Sequence, residues 1–224
     1  MMFMKEQGIK TEEKPVIAHY NRIAGQNLDR IAALSDGIFA VAATLLVLNL
    51  HIPDTANIAS DLDLWQALVK LGPGLLTYLM SFLTLGIFWV GQQTQLNHFN
   101  QSDHHLTWIH LAFLLVVVLM PFSTSLLASF ITLRLALVVY WLNILLLGVL
   151  LLASLQYAKY TGLVKEEAAI NIYRAGIRRI IVAQALYAFG ALLCIIDTRL
   201  SIGFIVLVQL NYAIAPQIRF LSRL

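Results

Sequence analysis

"RIAALSDGIFAVAATLLVLNL", residues Arg30 to Leu50, sets an arginine, a serine and an aspartate at the mouth of a run built from small and branched apolar residues. About 20 mainly apolar residues are what a helix needs to cross the roughly 30 Å hydrocarbon core of a bilayer. The stretch therefore reads as a membrane span with a carboxylate close to one end. An ionised side chain at that depth costs about 2.5 to 3.5 kcal/mol by insertion scales and is kept where it is paired or wet. Asp36 accordingly needs partners.

Outward from this span the whole chain has the same character. Of 224 residues, 59% are hydrophobic and 12% charged, whereas soluble domains carry about 25% charged residues. Six stretches qualify as spans: Leu28 to Leu50, Leu64 to Val90, Leu106 to Phe122, Leu133 to Tyr157, Ile177 to Ile196 and Ile202 to Phe220. The expected fold class is an all-α integral membrane protein with six transmembrane helices. Residues 1–27 are expected to form a polar cytosolic tail, 28–220 the six-span domain and 221–224 a short cytosolic C-terminus. Nothing in the tail reads as the apolar core of a cleavable signal peptide. The one cysteine, Cys194, excludes a disulfide within the chain and a cysteine metal cluster. The net charge of +3 is too small and scattered to suggest nucleic acid as a partner.

Lysine and arginine in short loops favour the cytosolic side. Lys5, Lys10, Lys14, Arg22 and Arg30 lie before or at the start of the first span; Lys159, Lys165, Arg174, Arg178 and Arg179 surround the fourth loop; Arg219 and Arg223 lie at the end. The loop "HIPDTANIASDLD" carries three Asp and neither Lys nor Arg. Both termini are thus expected in the cytosol of a multi-pass cell-membrane protein. The first three spans do not resemble the last three, so an inverted-repeat transporter has no support.

At about 100° per residue, Leu34, Ile38, Val41, Leu45, Leu48 and Ile52 fall along one line of the first helix. Ala33, Gly37, Ala40 and Thr44 form a neighbouring edge of small residues, which lets membrane helices approach closely. Asp36 lies roughly opposite the branched line and is expected to face helices of its own subunit. Arg30, six positions earlier, is poorly placed to pair with it along one helix face. Gln92, Gln93, Trp108 and His110 can supply donors from the second and third spans. The alternative is that these groups only anchor helix ends at the interface.

The segment resembles the Arg-x-x-x-Phe-Ser-Asp-Gly signature on the first span of the endosomal and lysosomal potassium channel family, transmembrane protein one-seventy-five, and its prokaryotic relatives. Arg30, Ser35, Asp36 and Gly37 carry the match; "LGIFWVGQQ" and "LTWIHLAFLLVVVLMPFSTSLL" are similar to parts of that family's second and third spans. The likeness covers about the first 130 residues. It implies a potassium-permeable cation channel, a homotetramer in membrane lipid whose first helices line a central pore, with no cofactor beyond the permeant potassium ion. Val41, Leu45 and Leu48 match positions that narrow the pore of relatives, and a ring of such side chains gates by dewetting. Thr44 matches a hydroxyl layer linked to selectivity, which implies a modest preference for potassium over sodium. Without the resemblance, the same residues read as packing against lipid or neighbouring helices.

Against the family pattern, Leu34 replaces the signature phenylalanine, Gln92 and Gln93 stand where histidines are frequent, and His110 stands where an asparagine is usual. An imidazole in contact with Asp36 would favour its charged form and give acid sensitivity; a neutral, hydrogen-bonding His110 is the alternative. Asn49 replaces a carboxylate expected near the outer mouth, which lowers local cation enrichment. His98, His104, His105 and Asp103 have ligand chemistry, but a solvated interfacial loop accounts for them and no metal site is expected. No Thr-Val-Gly-Tyr-Gly filter and no nucleotide motif is present. An intramembrane enzyme would need more than the isolated Cys194 and Asp197. A proton-conducting channel and a secondary transporter are the rival functions.

Overall fold

The computed structural model describes residues 27–48, 50, 58–165 and 170–214. In chain order the helices are α1 (Leu28–Val47), α2 (Asp61–Lys70), α3 (Gly72–Asn97), α4 (His104–Val118), α5 (Met120–Ser129), α6 (Arg134–Tyr160), α7 (Ile170–Leu192), which continues as a 3-10 turn at Leu193–Ile195, and α8 (Thr198–Ile214). Among the described residues the only β pairing is an isolated bridge between Phe99 and Val164.

Five pieces are long and apolar enough to cross a membrane: α1, α3, α4 and α5 taken together, α6, and Tyr173–Ile195. Helix α8 is apolar but 17 residues long, about 25 Å at 1.5 Å per residue. Residues 215–220, where the sixth expected span ends, lie outside the described residues, as do 1–26, Asn49, 51–57 and 221–224.

The second span differs from its sequence boundaries. The expected span begins at Leu64, whereas the chain forms the separate helix α2, which carries Gln66 and Lys70, before α3 begins at Gly72. Pro73 opens α3, where its missing N–H and fixed φ suit a helix start and interrupt a helix arriving from before it. Leu62, Trp65 and Val69 stay exposed on α2. Pro121 opens α5 in the same way and splits the third span after a turn at Leu119.

Caps set the other starts. Asn27 Oδ1 accepts from the Arg30 N–H at 3.1 Å, and Asp103 Oδ1 accepts from the Leu106 N–H at 2.8 Å, each satisfying a donor that the first helical turn leaves open. Helix α6 ends in a Schellman turn: the Leu163 N–H donates to Ala158 O at 2.9 Å and the Gly162 N–H to Lys159 O at 3.3 Å. Gly162 has φ of 70°, a left-handed conformation that glycine adopts without Cβ strain. The turn delivers Leu163 O to the Asn100 N–H and the Lys165 N–H to His98 O, tying the α6–α7 loop to the α3–α4 loop.

Helix α6 is the axis of the bundle, with Leu137, Tyr140, Ile144 and Leu147 fully buried among α3, α4, α5 and α7. Lipid tails are as apolar as these side chains, so close packing and interhelical hydrogen bonds hold such a bundle together. Thr124 donates to Ser81 at 2.6 Å, Ser81 to the Tyr140 hydroxyl at 3.3 Å, and Gln209 Nε2 to Thr84 at 2.8 Å, joining α5, α3, α6 and α8. Nearer the other end, Ser154 donates to Gln95 Oε1 at 2.8 Å while Gln95 Nε2 donates to Leu151 O at 3.1 Å. Helix α1 lies at the margin of this bundle and buries one face, made by Ile31, Ser35, Phe39, Ala42 and Leu46, against α3, α4 and α5.

Candidate functional site

Ser35 and Asp36 are consecutive, so they point about 100° apart around α1. They enter two different hydrogen-bonded clusters. Ser35 is fully buried; its hydroxyl donates to Ile31 O at 2.8 Å and accepts from Gln92 Nε2 at 3.1 Å. Gln92 Nε2 also lies 3.4 Å from His110 Nδ1. Because an amide nitrogen only donates, Nδ1 is the acceptor and the ring proton sits on Nε2. Gln92 Oε1 and His110 Nε2 are buried without a protein partner, an acceptor and a donor for which bridging water is the usual solution.

Asp36 lies on the flank of the buried face. Its Oδ1 accepts from Trp89 Nε1 at 2.7 Å and from Gln93 Nε2 at 2.8 Å. Trp89 and Gln93 are four residues apart on α3, hence stacked on one helix face, and together they grip a single carboxylate oxygen. The expectation that Asp36 turns to other helices of its own chain holds for Gln93.

His110 does not reach Asp36; it pairs with Gln92 beside Ser35, so the contact that would have favoured a charged imidazole is absent. Trp108 is exposed and donates to His104 Nε2 at 3.1 Å within α4. Arg30 is exposed one turn before Ser35 and takes no part in the Asp36 cluster. The residue missed from sequence is Trp89, whose signal was its i, i+4 spacing to Gln93 inside "LGIFWVGQQ".

The branched line of α1 faces away from the bundle. Val41 is 57% exposed, Leu45 40% and Leu48 69%, and Leu34 is exposed with them. A groove of about 360 Å³ runs along Leu34, Gly37, Val41 and Leu45 to Val118. A Cβ at Gly37 would meet nothing within 4 Å, so packing inside one chain does not require glycine there. The Thr44 hydroxyl is exposed and donates to Val41 O at 2.8 Å. With its proton used on the backbone, what the oxygen offers outward is lone pairs, the half of a hydroxyl that a cation binds. Asn49 lies outside the described residues.

The loop histidines have local roles. Asp103 caps α4 and its other oxygen accepts from the Tyr157 hydroxyl at 2.7 Å. The His98 ring meets Thr94 O, and the His104 and His105 rings meet edge to face.

Comparison with known proteins follows the same residues. The family described as endosomal/lysosomal potassium channel TMEM175 matches residues 30–121, from the first turn of α1 through α2, α3 and α4. A potassium channel of Streptomyces collinus is 36% identical over 101 residues, 45% of this chain and 48% of that protein. A potassium channel of Chamaesiphon minutus is also 36% identical over 101 residues, 45% of this chain and 49% of its own length. The matched region thus spans about half the length of these curated relatives. An endosomal/lysosomal proton channel TMEM175 of Danio rerio is 36% identical over 93 residues, 38% of this chain and 18% of that protein. In fold the likeness extends further: the crystal structure of a lysosomal potassium-selective channel TMEM175 homologue from Chamaesiphon minutus superposes with a TM-score of 0.73 at 27% identity, covering 83% of this chain and 96% of that one. Over residues 30–121 in sequence and over most of its length in fold, the chain is thus similar to the endosomal/lysosomal potassium channel family TMEM175.

Proposed function

We propose that this protein is a potassium-permeable cation channel and not an enzyme, assembled as a homotetramer in the cell membrane with both termini in the cytosol, and that α1 of each subunit lines the pore. The observation that carries this reading is the uncovered half of α1: its branched line and its small-residue edge both face away from the chain's own core. Four such faces around an axis give a hydrophobic constriction at Val41, Leu45 and Leu48. A cation that sheds water there gains no oxygen ligand in return, so the closed state is a dewetted neck. Thr44 supplies four hydroxyl oxygens next to that neck, a weaker cage than stacked carbonyls, and selectivity for potassium over sodium is accordingly modest. By the family resemblance position 49 belongs to the outer mouth, and an asparagine there supplies no ring of negative charge. Asp36 keeps α1 from turning about its axis by fixing one flank to α3.

Relatives called potassium channels support potassium as the ion. The vertebrate relatives called proton channels favour a second reading, proton conduction. Reversal potentials of the purified protein in liposomes separate the two. A shift that follows the potassium gradient supports the first reading, and a shift that follows only the pH gradient replaces it with the second. Flux coupled stoichiometrically to a second solute would favour a secondary transporter.

A further inference from the structure

Among the described residues a cleft of about 100 Å³, with no lining residue from α1, lies among α3, α6, α7 and α8, with an adjoining space of about 50 Å³ that shares Thr94, Gln95 and Gly176. Its walls are mostly apolar, from Phe88, Leu151 and Ile180. Two of its polar side chains have a buried atom without a partner. Tyr187 is 1% exposed and its hydroxyl is buried with no hydrogen-bond partner. Gln184 donates its Nε2 to Ile144 O at 3.3 Å, which leaves Oε1 buried and unpartnered. A buried polar group without a partner costs about 1 to 3 kcal/mol, so an empty apolar cavity is not what these two side chains suit.

The rim is cationic. Arg179 lines the cleft, exposed, with its guanidinium 5.8 Å from the Tyr212 ring centre. Arg174 and Arg178 are exposed on the same helix, and Lys159 lies 4.1 Å over the Tyr173 ring beside the adjoining space. None of the four wall helices contains an Asp or Glu. Going inward along α7 from Arg179, Gln184 lies about 7.5 Å and Tyr187 about 12 Å deeper at 1.5 Å per residue. A fixed positive charge at the exposed mouth of the cleft, then a hydroxyl donor, then apolar walls is the order in which a phospholipid presents phosphate, ester carbonyls and chains. Basic pockets between membrane helices select anionic headgroups.

We propose that this cleft binds one anionic phospholipid, with the phosphate on Arg179, an ester carbonyl accepting from the Tyr187 hydroxyl, and the chains lying along α3 and α7. Gly91 and Gly176 keep it open: a Cβ at either would approach Leu151 or Leu155 at 3.3 Å. The site is independent of α1 and of which ion the protein conducts.

The test is the thermal midpoint of the detergent-purified full chain titrated with phosphatidylglycerol, phosphatidylcholine of the same chains, or inorganic phosphate. Phosphatidylglycerol is expected to raise the midpoint well above the other two. Arg179→Gln is expected to remove that preference, and Ala183→Phe, which fills the cleft without touching charge, to remove it as well. Tyr187→Phe is expected to weaken it about threefold to tenfold, the worth of one neutral hydrogen bond, whereas Arg178→Gln, outside the lining, keeps it. Equal response to both lipids, full response to inorganic phosphate, or equal loss in the Arg178 and Arg179 variants would overturn the assignment. Should Ala183→Phe fail to fold, the two arginine variants still decide.

Discussion

Asp36 and Trp89 are joined by a 2.7 Å hydrogen bond from the indole Nε1 to the carboxylate, and this bond ties the flank of α1 to α3. Since Gln93 reaches the same oxygen at 2.8 Å, the carboxylate is held from two points on one face of α3. Trp89→Phe keeps the ring packing and removes one donor, so it is expected to cost about 1 to 2 kcal/mol, measured as a lower thermal midpoint. Asp36→Ala removes both bonds and is expected to impair assembly or gating more than ion preference. Normal tetramers with normal gating in Asp36→Ala would contradict this role.

Gln92 serves Ser35 and His110 with one amide. Gln92→Leu keeps the bulk and strands two buried polar groups, which is expected to cost about 2 to 4 kcal/mol. Replacing Ser35 by Ala in that background should recover part of the loss, because one stranded group is then gone. Thermal unfolding of both variants gives the coupling.

Gly148 faces the Gln184 side chain so closely that a Cβ there would lie 2.8 Å or less from its Cγ, Cδ and Nε2. Gly148→Ala is therefore expected to destabilise the α6–α7 contact by about 1 to 3 kcal/mol, as overpacking does. Adding Gln184→Ala should relieve it. Additive losses in the double variant would show that the two positions do not meet.

Ser60 and Asp63 form a reciprocal cap at the start of α2. The Ser60 hydroxyl donates to Asp63 Oδ2 at 2.7 Å and accepts from the Asp63 N–H at 3.2 Å. This bond from the Ser60 hydroxyl, with help from the Ala59 N–H, holds the Asp63 carboxyl below its ordinary value. A carboxyl whose folded pKa is depressed stabilises above its unfolded value, about 3.9, and loses that contribution as pH falls through the folded one. Amide exchange within residues 61–70 is expected to be constant from pH 7 to 5, after correction for intrinsic rates, and to rise below about pH 4. Ser60→Ala should raise it at neutral pH.

How much of this was legible in the sequence depends on the element. The long apolar runs gave their helices away, because nothing in them offers an alternative to a span. The break before Gly72 is marked in the sequence by Gln66 and Lys70, which make Leu64 to Leu71 less apolar than the span beyond it, and by the turn-forming "LGPG". The shared face of Leu34, Val41, Leu45 and Leu48 and the position of Asp36 opposite it came from 100° geometry, while the expectation that this face meets a pore came from the resemblance. What geometry on one helix left open was which donor meets which acceptor. Ser35 and Asp36 differ by a single step, and Gln92 and Gln93 by another, so the pairing of Ser35 with Gln92 and of Asp36 with Gln93 depends on how α1 and α3 are rotated against each other. His110 follows Gln92 for the same reason. Trp89 was read as part of a hydrophobic span, although an indole N–H in lipid needs an acceptor as much as an amide does.

The central claim is that the branched line of α1 lines the pore. It is tested most directly by potassium flux through the purified protein in liposomes under a fixed gradient, comparing the wild type with Leu45→Ala and Leu48→Ala. Widening a dewetted neck should raise the flux in both variants. Unchanged flux in both would place Val41, Leu45 and Leu48 against lipid and contradict the account.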